Sequence, residues 1–141
     1  MPREINMLVI SILEADDFGE ELYQVMRDSL TGLIIQQHAG VITAAGDIKG
    51  MIYRLFKELA IEYPHVFFNI LLSNDKLAYE GDDTETEHMF SLDCDFAYDA
   101  PITAKKRRRE ILIEHSDIVI CRQNRCSGIR KINKFCDIIA V

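Results

Sequence analysis

No apolar run in this chain approaches the roughly 20 residues that a membrane-spanning helix needs, so no membrane partner is expected. Residues 1–6 lack the basic stretch and long apolar core of a secretory leader, and a cytoplasmic location is the expectation. The four cysteines, Cys94, Cys121, Cys126 and Cys136, form no C-x-x-C pair. Buried free thiols are therefore expected, rather than a disulfide or a metal frame. Neither a G-x-G-x-x-G fingerprint nor a Walker loop is present. His38, His65, His88 and His115 lie far apart, and no Ser-His-Asp or Cys-His set is readable. Internal repeats and low-complexity tracts are missing too, and no cofactor is implied.

What is present fits one domain spanning 1–141, with 48% hydrophobic and 28% charged residues. The net charge of −7 is unevenly spread. Asn74 to Ala100 holds nine acids against Lys76, a net of −8, which leaves the rest of the chain at +1. This segment, 74–100, has no sustained period and is too long for an ordinary connector. It reads as an acidic insertion.

Hydrophobic patterning alternates between two kinds of element. Ile5–Ser11 is apolar apart from Asn6 and the closing Ser11, as expected of a strand buried on both faces. The turn Glu14–Asp17 offers helix N-caps, and Leu22, Val25, Met26, Leu30 and Leu33 then fall on one helical stripe. Gly40 is the expected helix stop, followed by a short strand, 41–44. Ile48, Ile52, Leu55 and Leu59 mark a second helix, ended by Pro64. A third strand covers His65–Leu72. Beyond the acidic segment come a helix over 104–115, a strand over 117–122, a helix over 127–135 and a terminal strand over 137–141.

This order gives a three-layer α/β Rossmann-like domain: a parallel sheet of about five strands, order 3-2-1-4-5, with helices on both faces. The topological switch falls between strands one and four, and ligands bind outside the carboxyl ends of strands at such a point. Ser11, Thr43 to Asp47, and Gln123 to Gly128 follow the strands that meet there. The Thr43–Asp47 turn pairs small side chains and Gly46 with a helix start, where backbone N–H groups can meet an anion. Asp47 is equally a plain N-cap. Ser127 can cap the last helix, and Gly128 permits close backbone approach.

The run Lys105–Arg109 suggests nucleic acid at first sight. On a helix its five side chains splay around the axis, and no second basic stripe matches it. Pairing with the acidic segment is the better reading, and no nucleic-acid partner is expected. Glu58 and Glu62 share their helix with Arg54 and Lys57 and read as a solvated face.

Phe56-Lys-Glu-Leu-Ala-Ile-Glu-Tyr-Pro-His65, the acidic Asp82-Asp83-Thr84, Arg108, Ser116-Asp117-Ile-Val-Ile, and Ser127-Gly128 together resemble an uncharacterised branch of the SLOG superfamily. These are Rossmann-like domains related to the Lonely Guy phosphoribohydrolases. The resemblance spans about residues 41–136. It implies a pocket for a nucleotide or nucleotide-derived ligand formed by Ser11, Thr43, Gly46, Asp47, Lys49, Arg108, Ser127 and Gly128, and it allows a homodimer. Several positions depart from the family pattern. Thr43 stands for a glycine and Lys49 for an aspartate, and no glutamate follows Gly128 at the catalytic offset. The expectation is ligand binding without catalysis. The alternatives are a nucleoside-monophosphate N-glycosidase and a protein-interaction domain that has lost its pocket.

Overall fold

The computed structural model describes residues 8–45, 50–71, 89–90 and 109–141. Gly46, Asp47, Lys49 and Arg108, most of the acidic segment, Cys94 and His88 lie outside the described residues.

Among the described residues, six strands form one parallel sheet: β1 (Leu8–Ile12), β2 (Ala39–Ala45), β3 (Phe67–Leu71), β4 (Met89–Phe90), β5 (Ile118–Cys121) and β6 (Asp137–Ala140). Their order is β4-β3-β2-β1-β5-β6. The expected 3-2-1-4-5 arrangement is present as β3-β2-β1-β5-β6. The addition is β4, a two-residue strand inside the acidic segment that pairs outside β3 through Phe68↔Met89 and Asn69↔Phe90.

Among the described residues the helices are α1 (Tyr23–Gln37), α2 (Met51–Glu62), α3, described over 109–114, and α4 (Ile129–Ile132). Side chains alternate along a strand, so a parallel sheet feeds two cores at once. Ile10, Ile12, Ile42, Phe68, Ile118 and Ile120 pack with α1 and α2 in the larger core. Val119 and Cys121, one residue out of phase, pack with Leu13, Leu112, Ile113, Ile129 and Cys136 on the α3–α4 side.

The helix stripes are close to the expected ones. Ile52, Leu55 and Leu59 are buried, joined by Met51, Phe56 and Ala60. On α1, Met26, Leu30 and Leu33 are buried with Ile34, but Val25 is 48% exposed. The helix enters later than the Glu14–Asp17 turn. Two short 3-10 turns, Ala15–Asp17 and Glu20–Leu22, intervene, and Leu22 stands at the N-cap. Val25 therefore lies at the outer edge of the stripe.

The stop of α1 also differs from expectation. His38, at φ 58°, is the left-handed cap, and its N–H donates to the Leu33 carbonyl. Histidine tolerates that region better than most side chains. Gly40 is already in β2, which pairs from Ala39 onward.

Between α1 and α2 the solvated face is a lattice of charges. Arg54 grips Glu20 with two 2.8 Å hydrogen bonds and lies over the Tyr23 ring. Arg27 donates to Glu62 at 2.6 Å, and the Tyr23 hydroxyl donates to Glu58. Glu58 and Glu62 thus bind one helix to the other. The Arg54 hydrogen bond holds the Glu20 carboxyl below its ordinary value of 4.5.

Two outcomes are expected. Phe56 is fully buried against Phe68, ring centroids 5.1 Å apart. In urea titrations Phe56→Ala is expected to cost about 3–5 kcal/mol, and Val25→Ala within about 0.5 kcal/mol of nothing. A lowered folded-state pKa means stability that is present above Glu20's unfolded value and lost as pH falls through the folded one. The stability gap between the wild type and Glu20→Gln should therefore be small at neutral pH and close as pH drops below 4.5. Thermal melts across that window read it directly.

Candidate functional site

The centre of the sheet determines which loops can meet. β1 pairs with β2 on one side and β5 on the other, both parallel. The chain runs from β1 through α1 to β2 and β3 on one side and returns from there to β5 on the other. Strand order therefore reverses between β1 and β5, the place at which sheets of this kind open a crevice beyond the strands' carboxyl ends. Asp117 sets the register at the opposite end. Its N–H donates to the Val9 carbonyl at 2.8 Å, and its carboxylate accepts from the Val9 N–H at 2.9 Å. Leu13 N–H donating to the Ile120 carbonyl at 2.9 Å continues the pairing up to the crevice.

Just beyond Leu13 the backbone turns left-handed at Glu14, φ 48° and ψ 54°. That conformation costs a side-chain-bearing residue about 1 kcal/mol or more, and it persists where surrounding contacts hold it. Here the contact is ionic. Arg109 Nε donates to Glu14 Oε1 at 2.8 Å, with the two side chains 29% and 17% exposed. Glu14 Oε2 is buried and accepts no hydrogen bond.

Arg109 reaches on to the Arg125 carbonyl at 3.3 Å, tying α3 to the loop after β5. That loop contributes two more arginines. Arg122 donates to the Asp17 carbonyl at 3.0 Å and lies 5.7 Å over the Phe18 ring. Arg125 pairs with the Asp17 carboxylate at 3.4 Å and is 54% exposed. Three arginines and two acids thus stitch α3 and the loops after β1 and β5 into one polar cluster.

The loop after β5 is a 3-10 turn, Gln123–Arg125, followed by Cys126, Ser127 and Gly128. Gly128, at φ 81°, is the N-cap of α4, and no side chain caps this helix. Ser127 is exposed and does not take the expected capping role. The helix is shorter than the expected 127–135 because Asn133 is extended. Its amide donates to the carbonyls of Ile113 and Ser116 at 2.8 and 3.0 Å, satisfying the end of α3 instead.

The expectation of free thiols is corrected here: Cys121 and Cys126 form a disulfide across the turn. The turn folds position 126 back over the end of β5, a proximity that a spacing of five does not advertise. Cys136 remains free and buried, and burial pushes its thiol pKa up.

Ser11 and Thr43 are register partners on neighbouring strands, and Thr43 in turn faces Asn69 on β3. All three are buried, giving a polar row across the sheet face opposite the larger core. The Ser11 hydroxyl bonds the Leu112 carbonyl at 3.3 Å, and Ser116 contacts both groups. Ser11 therefore anchors α3 to β1. Asn69 Nδ2 donates to Thr43 Oγ1 at 3.3 Å, while Asn69 Oδ1 is buried and accepts nothing.

The structure thus brings Ser11 and Thr43 into one row, and leaves Ser127 and Gly128 exposed in the loop after β5. Sequence reasoning missed Glu14, Arg109, Asn69 and Ser116. Asn69 carried a signal, as a lone amide inside the apolar run His65–Leu72. Among the described residues, no group of three His, Cys, Asp or Glu side chains could hold a metal ion. No described helix is long and apolar enough to cross a membrane. No family model, curated protein or solved structure matches the chain.

The left-handed turn at Glu14 gives a test. Glu14→Ala and Glu14→Gly both remove the ion pair, but only glycine relieves the backbone. Denaturant midpoints should place Glu14→Gly above Glu14→Ala by about 1 kcal/mol. Equal stabilities would mean that the turn relaxes once the carboxylate is gone.

Proposed function

We propose that this chain binds a nucleotide or nucleotide-derived small ligand in the crevice between the carboxyl ends of β1 and β5, without transforming it. The observation that supports this most is the gathering of Arg109, Arg122 and Arg125 at the point where strand order reverses. Guanidinium groups match phosphate oxygens in geometry and charge. The resemblance to SLOG domains supplies the nucleotide class. Gly46, Asp47, Lys49 and Arg108 enter the proposal from the sequence alone.

Asp17 gives the mechanism its particular form. Its pair with Arg125 spans 3.4 Å and is largely exposed, so it contributes little to stability. A phosphate carries more charge and more acceptors than a carboxylate, and it displaces Asp17 from Arg125. Arg109 stays with Glu14 and the Arg125 carbonyl and fixes the loop that presents Arg125. Arg122 stays on Phe18. The exposed Ser127–Gly128 corner lies at the rim, where backbone can approach a ribose or phosphate.

Calorimetry against a panel of nucleoside mono- and diphosphates tests this. Arg125→Ala is expected to weaken binding about tenfold, and Asp17→Asn to strengthen it by about threefold by removing the competing carboxylate. Silence across the panel from folded protein contradicts the proposal. Release of free base from a nucleoside monophosphate would contradict its non-catalytic part and favour the N-glycosidase.

A further inference from the structure

We propose that Cys121 and Cys126 form a reversible redox site, opened by a thiol reductant, that controls how the loop after β5 presents Arg125. The coupling to ligand rests on the binding proposed above; the redox site and its effect on the loop do not.

The two cysteines differ in access. Cys121 ends β5 and is fully buried in the α3–α4 core, whereas Cys126 is partly exposed beyond the turn. Their Cα atoms are 5.9 Å apart, ordinary spacing for a bridge. The sequence separation is only 5, and closing so short a loop removes less entropy from the unfolded chain than a long-range bridge would. The bridge is a local constraint more than a global staple. What it encloses is Arg122, Gln123, Asn124 and Arg125. Within that span lie the side chains that meet Asp17 and Phe18 and the carbonyl that receives Arg109.

The stem of the loop has other anchors, through Gln123 N–H to the Val141 carbonyl at 3.2 Å and Val141 N–H to the Cys121 carbonyl at 2.8 Å. The far end, Arg125 to Gly128, is held by the Arg125 N–H to the Arg122 carbonyl at 2.8 Å, by Arg109 on the Arg125 carbonyl at 3.3 Å and by the sulfur bridge, which is its one covalent tie back to β5. Opening the bridge therefore leaves the part that carries Arg125 on hydrogen bonds alone and loosens it while leaving β5 in the sheet. Cys136 sits in the same core with its thiol pKa raised by burial, so it stays protonated and is a poor competitor in exchange.

The exchange is balanced with a dithiol reductant. One of its thiolates attacks the accessible Cys126 sulfur, the Sγ–Sγ bond breaks, and Cys121 leaves as a thiolate that takes up a proton. The second reductant thiolate attacks the mixed disulfide and expels the Cys126 thiolate, which is protonated in turn. The protein gains two electrons and two protons, and the reductant becomes a disulfide. A bridge of this kind in a reducing compartment is regulatory in character rather than a permanent fixture.

The test equilibrates the full chain with dithiothreitol couples of graded potential, traps free thiols by alkylation and maps them by mass spectrometry. Hydrogen exchange is measured in each state, and nucleoside-monophosphate binding alongside. Cys121 and Cys126 should become alkylated together and reversibly, with Cys136 protected throughout. Exchange over 122–128 should accelerate about tenfold on reduction and in Cys126→Ser, with β5 unchanged. Binding should weaken by about threefold or more. If Cys126→Ser fails to fold, the reduced wild type carries the same measurement. Cysteines alkylated under every oxidising couple, or a bridge whose opening leaves exchange over 122–128 unchanged, overturns the redox site. A ligand that binds neither state counts against the binding reading alone. A ligand that binds both states equally overturns the coupling.

Discussion

Everything described here depends on β1 being paired in parallel on both edges. Each of its residues meets a partner on β2, and Ile10 to Ile12 also meet β5; the chain goes from β1 through α1 to β2 and comes back to the other edge of β1 only after β3 and β4. That double pairing buries Ile10 and Ile12 beneath α1 and α2, and it turns Ser11 toward α3. It also sets the carboxyl ends of β1 and β5 side by side with nothing of the sheet between them. Asp117 enforces the pairing with both its backbone and its carboxylate. The same residue accepts the Asp137 N–H at 2.9 Å, so the register of β6 follows from that of β5.

The loops that meet at this point are joined by charged pairs, Glu14 with Arg109 and Asp17 with Arg125. Burying a carboxylate near the end of a sheet costs free energy unless a cation meets it. Glu14 and Arg109 satisfy that requirement at the expense of a left-handed backbone. Exposed charges farther out, Asp17 and Arg125, are paired only loosely. The cluster therefore grades from a partly buried, fixed pair to an exposed, exchangeable one. On the binding proposed above, an anion arriving from solvent would meet the exchangeable end first. The polar row Ser11–Thr43–Asn69 lies on the sheet face that Ser11 shares with α3.

The strands were legible because parallel strands buried on both faces are nearly continuous apolar runs, and two crossover helices carried clean three- and four-residue stripes. Right-handed crossover then left few strand orders to choose from. Features set by contacts between distant residues were not legible. His38 rather than Gly40 caps α1 because β2 claims Ala39 and Gly40 for pairing. α4 stops early because Asn133 serves the end of α3, 17 to 20 residues back in sequence. The disulfide depends on a 3-10 turn that has no periodic signature. Arg109 stood in a run of five basic residues that composition treats alike, and only the position of α3 over Glu14 distinguishes it. Ser11 and Thr43 were marked as loop-adjacent, but their burial in one row follows from strand register, which a slip of one residue would have reversed.

On the proposed reading, the loops after β1 and β5 form one anion-responsive surface at the sheet's switch point. Residue-resolved amide NMR during titration with a nucleoside monophosphate tests it most directly. The account predicts that perturbations concentrate in residues 13–18 and 122–129, with the Arg125 and Asp17 amides moving together and those of β3 staying still. Shifts confined to other faces of the sheet, or movement of one loop without the other, would contradict it.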